Sequence, residues 1–271
     1  MNSVSSLSIF QRIKDYVYPS SMNGQSAHMN KNFSREDWME QMEKFKNEVP
    51  KDKCRSLSLR GGGTKGAYEV GVIQSLFDHL PLEEFQYDVI TGVSIGAVNA
   101  ATLAMFDKGE EQEAIDTLKE YWFDFETDEI FVEWSTWGPI AGFWKPSFFD
   151  DTPTHNRINS RLKNPFRKRV AYQSVNINDG KVYSFDETLD PKLQGESVAA
   201  SASIPVAFYP TATIGDLQLV DGGTFTDLNL QDAIDKCREV VKEDKDIIVD
   251  VVMCQSDPVK IDEMKNSWLF Q

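Results

Sequence analysis

A serine with glycine two residues to either side, Gly92-Val93-Ser94-Ile95-Gly96, ends one apolar run and opens another. The run before it, Phe85-Gln86-Tyr87-Asp88-Val89-Ile90, reads as a strand. The run after it, Ala97 to Ala104, is made of small residues and reads as a helix. No other stretch restricts the topology as strongly. A serine at a sharp strand-to-helix turn is the G-x-S-x-G nucleophile elbow in the setting that motif requires. The physics asks for glycine at Gly92 and Gly96: strand and helix close tightly around a strained residue, so neighbouring side chains must be absent. The helix start also directs N–H dipoles toward negative charge forming near Ser94. The plainer alternative is an ordinary strand–turn–helix corner with an exposed serine.

The segments around the elbow extend the pattern. Arg55 to Arg60 reads as a strand, Gly61-Gly62-Gly63-Thr64-Lys65-Gly66 as a glycine-rich loop, and about Ala67 to His79 as a helix with Val70, Ile73, Leu76 and Phe77 at helical spacing. Strand–helix–strand–helix with short links implies parallel pairing and an α/β sandwich. An acidic amphipathic helix is expected over 110–125. An aromatic stretch from Phe131 to Phe149, broken by Gly138, Pro139, Gly142 and Pro146, serves either as core over a sheet edge or as an apolar wall for an acyl chain. Asn178-Asp179-Gly180 marks a hairpin between Val170–Asn176 and Lys181–Phe185. A short helix over Glu196–Ser201 follows. Next come an extended pair, Phe208–Ile214 and Leu217–Val220, a helix from Leu230 to Lys242 and a strand from Ile247 to Met253. Residues 1–50 form an expected N-terminal extension, turn-rich at 18–26. One capping-box helix opens at Ser34, with Trp38, Met42 and Phe45 on a stripe that packs on the main domain. Residues 51–271 make the main domain, and the short tail after the last strand suggests a minimal or truncated one.

The net charge of −15 argues against nucleic acid and against unassisted docking on an anionic membrane. Charge is uneven. Asp107–Glu133 holds eleven acids and two lysines, whereas Arg157–Arg169 holds six basic residues and no acid. The basic run is either a solvated face or an attractor of phosphate-bearing substrate. Cys54, Cys237 and Cys254 show no disulfide framework or metal spacing, so buried free thiols in a reducing compartment are expected. No stretch reads as a transmembrane helix, and the N-terminus is too polar for a signal peptide. The sequon at Asn32 matters only in a secreted protein.

The loop Gly61–Gly66 fits G-x-G-x-x-G, a dinucleotide signature. The acids that would hold a ribose, Glu83 and Glu84, precede the next strand rather than end it. The competing use is an oxyanion hole, since three consecutive glycines let backbone N–H groups share a small space. A serine then needs a base. His28 lies in the extension and His79 at the far end of a helix; His155 follows Pro153 in a loop and is a base only in principle. No histidine follows Asp221, so the order Ser…Asp…His is impossible. Asp221, in Leu219-Val220-Asp221-Gly222-Gly223, remains: burial would raise its pKa from about 3.9 and a direct hydrogen bond would make it a base. Its plainer alternative is a turn aspartate.

These three motifs together, with Ala200-Ser201-Ala202-Ser203-Ile204-Pro205, resemble the patatin-like phospholipase family from about Cys54 to Gly223. The resemblance implies a three-layer α/β/α sandwich with a mainly parallel central sheet. It also implies a lipid acyl hydrolase with a Ser–Asp dyad of Ser94 and Asp221, needing no metal or cofactor. Gly61, Gly62 and Gly63 would match the oxyanion glycines and Gly92 and Gly96 the elbow, with Lys65, Gly66, Gly222 and Gly223 as loop and dyad-motif support. One departure is plain: the family loop usually opens with aspartate, and Arg60 stands there.

The expected substrate is a phospholipid or lysophospholipid met at a membrane or micelle surface, with cytoplasmic or peripheral-membrane placement and no nucleic-acid partner. A neutral-lipid esterase, a low-turnover storage or binding protein and a dinucleotide binder are the competing readings. Head group, sn-position, chain length and oligomeric state are not written in these motifs.

Overall fold

The computed structural model describes residues 34–123, 132–133, 147–162, 164–208 and 212–254. The turns at 18–26, His28, Asn32 and most of the aromatic stretch 131–149 lie outside the described residues. So do 209–211 of the expected strand from Phe208. The first element, α1 (Arg35–Lys46), starts at the expected capping box: the Ser34 hydroxyl accepts the Asp37 N–H, and the Asp37 carboxylate accepts the Ser34 N–H. Its half-buried stripe faces the main domain. Trp38 Nε1 donates to the Glu187 carbonyl and the Arg169 guanidinium lies 4.9 Å over the Phe45 ring.

Then follow β1 (Cys54–Leu59), α2 (Gly66–His79), α3 (Leu82–Phe85), β2 (Val89–Val93), α4 (Ile95–Ala104), α5 (Glu111–Phe123) and α6 (Thr152–Arg161). After these come β3 (Arg169–Asn176), β4 (Lys181–Asp186), α7 (Pro191–Ser201), β5 (Ala212–Ile214), β6 (Leu217–Asp221), α8 (Leu230–Arg238) and β7 (Ile247–Val252). Strands β7, β1, β2 and β3 are mutually parallel in that order; β4, β6 and β5 join antiparallel.

Period-two alternation decides what each face meets. Leu57, Leu59 and Ile90 point into the larger core, under α2, α4 and α5. Cys54 and Val89 point the other way, into a smaller core with Cys237, Val240 and Val241. Helices cover both faces, which is the three-layer α/β/α arrangement, and it explains why central strands are apolar on both sides. Helix α4 is buried at every residue from Gly96 to Ala104. A helix apolar all round belongs inside a core.

Two expectations are corrected and one alternative is narrowed. The strand before the elbow runs from Val89 to Val93, not from Phe85 to Ile90. Phe85 belongs to the helical turn after Pro81 and packs edge-on against Phe77 and Tyr87. A short apolar run does not tell strand from buried helix by spacing alone. The cysteines are not all free: Cys54 and Cys237 form a disulfide because α8 lies across β1, with Cα atoms 5.6 Å apart, while Cys254 is a buried free thiol. The argument for a reducing compartment goes with it. The described basic residues of the run 157–169 are engaged within the chain. Arg167 pairs with Asp107 and the buried Lys168 with Glu111, so the acidic and basic runs partly neutralise one another. Arg169 pairs with Glu48 and Glu239, and Arg157 and Arg161 lie over the Tyr121 ring. Among the described residues no helix is long and apolar enough to cross a membrane.

Candidate active site

Strand β3 brings the two halves of the site together. Along one edge it pairs first with β2, Val93 opposite Gln173, and then with β6, Asp221 opposite Ser174. Its other edge is taken by β4. The end of the elbow strand and the end of the aspartate strand therefore abut at consecutive β3 residues. Ser94 and Asp221, 127 positions apart, share a hydrogen bond of 2.5 Å from Ser94 Oγ to Asp221 Oδ2. That length suits an O–H donor to a carboxylate.

Ser94 has φ 56° and ψ −128°, a left-handed conformation that a residue with Cβ adopts only under constraint. The constraint is close packing. A Cβ on Gly92 would lie 2.2 Å from the Gly96 carbonyl oxygen, and one on Gly96 would lie 2.5 Å from the Leu59 carbonyl oxygen. Both glycines are there for space, as the sequence pattern requires. The Ser94 N–H donates to Ser201 Oγ, and Ser201 donates to the Gln173 carbonyl at 2.6 Å. Ser201 thus ties the elbow to β3.

Asp221 is buried, with Oδ1 accepting the Gly223 N–H at 2.7 Å and its own N–H donating to the Ser203 carbonyl at 2.9 Å. Burial pushes its carboxyl up to about 6. The hydrogen bonds from Ser94 and Gly223 oppose that rise, and the nearby Asp227 charge adds to it. A carboxylate at this value is a better proton acceptor than a solvated one and is still ionised at neutral pH. Gly222 and Gly223 form the 3-10 turn after Asp221.

The glycine loop reaches the same place from β1. A Cβ on Gly61 would stand 3.2 Å from Ser94 Cβ. The three glycines differ in what their amides do: the Gly61 N–H donates to the Asp227 carbonyl at 2.8 Å. The N–H groups of Gly62 and Gly63 have no acceptor among the described residues. Gly61 thus approaches the elbow closely, and the two amides that follow it are unengaged among the described residues. The exposed Lys65 lies in the 3-10 turn that follows, and Gly66 starts α2 against Ile95 and Trp122. Arg60, the residue that departs from the resemblance, forms a salt bridge with Asp227. Sequence reasoning missed Asp227; the sign change at position 60 was the signal that could have found it. Ser203 and Ser201 lay inside a segment already singled out.

His155 is not in a loop. It is buried in α6, with Nε2 3.0 Å from Ser203 Oγ, 3.3 Å from the Asp151 carboxylate, and Nδ1 3.7 Å from Glu196. Burial alone would lower its pKa; the two carboxylates outweigh burial and hold it at about 9. An imidazolium cannot accept a proton. His79 ends α2, its ring on the Ser75 carbonyl. Among the described residues no cluster of three His, Cys, Asp or Glu side chains is arranged to hold a metal ion.

The patatin-like phospholipase family matches residues 57–234, from β1 into α8. Two relatives are each named a cGAMP-activated phospholipase. The one from Escherichia coli is 26% identical, over 65% of this chain and 53% of its own length. The one from Vibrio cholerae serotype O1 is 25% identical, over 64% and 54%. The chain thus spans about half the length of the curated relatives it matches. The crystal structure of VipD from Legionella pneumophila superposes with a TM-score of 0.47 at 14% identity, over 74% of this chain and 50% of that one. With a family match across two-thirds of its residues, from the glycine loop through the elbow and the aspartate, this chain belongs to the patatin-like phospholipase family.

Proposed function

We propose that this chain is a serine acyl hydrolase that cleaves carboxylic ester bonds of phospholipids or lysophospholipids through a Ser94–Asp221 dyad. The 2.5 Å hydrogen bond between Ser94 Oγ and the buried Asp221 carboxylate, at a strained elbow, carries the reading. Family membership and the printed names of the two relatives favour a phospholipid ester as substrate.

Ser94 Oγ attacks the ester carbonyl carbon as its proton passes to Asp221 Oδ2. The tetrahedral oxyanion is held by the Gly62 and Gly63 N–H groups; one preorganised donor lowers such a barrier by about 3–4 kcal/mol. Collapse expels the alcohol, which takes the proton from Asp221 and leaves acyl-Ser94. Water then attacks the acyl carbon, gives a proton to Asp221, and releases the fatty acid as that proton returns to Ser94. No metal or cofactor enters these steps. The substrate is met at a lipid surface.

A panel of phospholipids, lysophospholipids and acylglycerols, assayed with wild type and Ser94→Ala, tests the reading. Hydrolysis of a phospholipid class by wild type alone is expected. Folded wild type that hydrolyses none of the three classes would point to a lipid-binding protein and overturn the reading; preference for acylglycerols would overturn the substrate class.

A further inference from the structure

Resting on the hydrolase reading, we propose that Asp227 and Arg60 form a clamp that fixes the glycine loop against Ser94, making Asp227 a positioning residue for the oxyanion amides. Asp227 sits in the link between the 3-10 turn after Asp221 and α8. It holds the loop after β1 at two points. Its backbone carbonyl accepts the Gly61 N–H at 2.8 Å, and its carboxylate accepts the Arg60 guanidinium. It touches the aspartate turn as well, since its Oδ1 would stand 3.2 Å from a Cβ on Gly223. One residue therefore joins the loop that carries the free amides of Gly62 and Gly63 to the turn that carries the base.

The clamp gives Arg60 a purpose. The charged residue that opens the loop is paired with Asp227. The pair is partly exposed, with Arg60 at 19% and Asp227 at 47%. Ion pairs of this kind add little to global stability, so variants at both positions keep the fold. Small displacements of a donor matter far more to rate than to stability. The competing anchor is Asn229, two residues on. Its carbonyl receives the Thr91 hydroxyl at 2.9 Å and its side chain the Gln173 amide at 3.0 Å. If Asn229 alone sets the link, the Arg60–Asp227 pair is dispensable.

The test uses the full chain with Asp227→Ala, Arg60→Ala, the double variant, and the swap Arg60→Asp with Asp227→Arg. Amide hydrogen exchange over residues 60–66 is read first, because it does not require turnover. Faster exchange at Gly61 is expected in both single variants, with melting temperature unchanged. On a soluble short-chain ester each single variant is expected to lose about tenfold to a hundredfold in kcat with little change in KM. The double variant is expected to be no worse than either single one, and the swap to recover part of the loss. Exchange at Gly61 that matches wild type in both single variants, or losses that add in the double variant, would overturn the clamp. Failure of wild type to hydrolyse any ester would instead overturn the hydrolase reading, and the exchange measurement would still decide the clamp.

Discussion

In the proposed mechanism Asp221 has to be desolvated enough to accept a proton and still ionised at neutral pH. Burial raises its carboxyl to about 6, and the Ser94 and Gly223 hydrogen bonds keep it from rising further. Two outcomes belong to this residue. The acid limb of kcat/KM is expected near pH 6 in wild type, and Asp221→Asn is expected to lower kcat by about 10³-fold. His155→Ala, normalised to folded protein, is expected to keep most activity, because His155 at about 9 is already protonated. An equal loss at His155 would contradict the dyad. Stability should move the other way. The folded pKa of Asp221 lies above its ordinary 3.8, so ionisation destabilises the native state. That penalty is absent below pH 3.8 and complete above about 6. Asp221→Asn is therefore expected to stabilise the fold by about 1–3 kcal/mol at pH 8, a gain that vanishes toward pH 4, as read by thermal melts across pH.

At the scale of elements, α2, α4 and α5 meet through polar groups as well as apolar ones. Asn99 on α4 donates to the fully buried Glu69 on α2 at 2.8 Å and accepts from Trp122 Nε1 on α5 at 2.9 Å. Burial lifts the Glu69 carboxyl to about 8 against the Asn99, Cys254 and Arg60 hydrogen bonds, so it is mostly neutral at pH 7. Its folded pKa exceeds the ordinary 4.5, so the stability it contributes is complete below pH 4.5 and is lost as pH rises through 8. Glu69→Gln is expected to flatten the fall in melting temperature between pH 6 and pH 9; an unchanged slope would contradict a neutral Glu69. None of this network was legible beforehand, because Glu69 and Asn99 read as ordinary helix residues until three helices converge. Local pattern did reveal much else. The Leu57–Leu59 strand, the Val70/Ile73 helix face, the hairpin at Asn178-Asp179-Gly180 and the capping box at Ser34 each depend on neighbours in sequence. The elbow glycines were legible for the same reason, whereas Asp221 was singled out by the absence of a usable histidine and by the family motif. What escaped detection was non-local: the antiparallel return of β6 to the β2 edge of β3, the Cys54–Cys237 bond, the helical setting of His155, and the engagement of the Gly61 amide by Asp227.

The whole molecule carries a net charge of −15, and among the described residues of its basic run Arg167, Arg169 and Arg161 are held in ion pairs or ring contacts. A protein so charged is repelled by anionic lipid within about one Debye length, roughly 10 Å at 0.1 M salt. Hydrolysis of zwitterionic vesicles is therefore expected to exceed that of vesicles rich in anionic lipid by about tenfold at low salt, the gap closing as ionic strength rises toward about 0.5 M. Faster turnover on anionic vesicles at low salt would show a local basic docking face that overrides the net charge. The fold places the Ser94 hydroxyl against the Asp221 carboxylate across three strands, and the proposed role of that pair is open to a direct measurement: intact-protein and peptide mass spectrometry after exposure to a fluorophosphonate. A single adduct on Ser94 in wild type is expected, with none in Ser94→Ala and a strongly slowed reaction in Asp221→Asn. Folded wild type that remains unmodified, or is modified at another residue, would contradict the Ser94–Asp221 dyad.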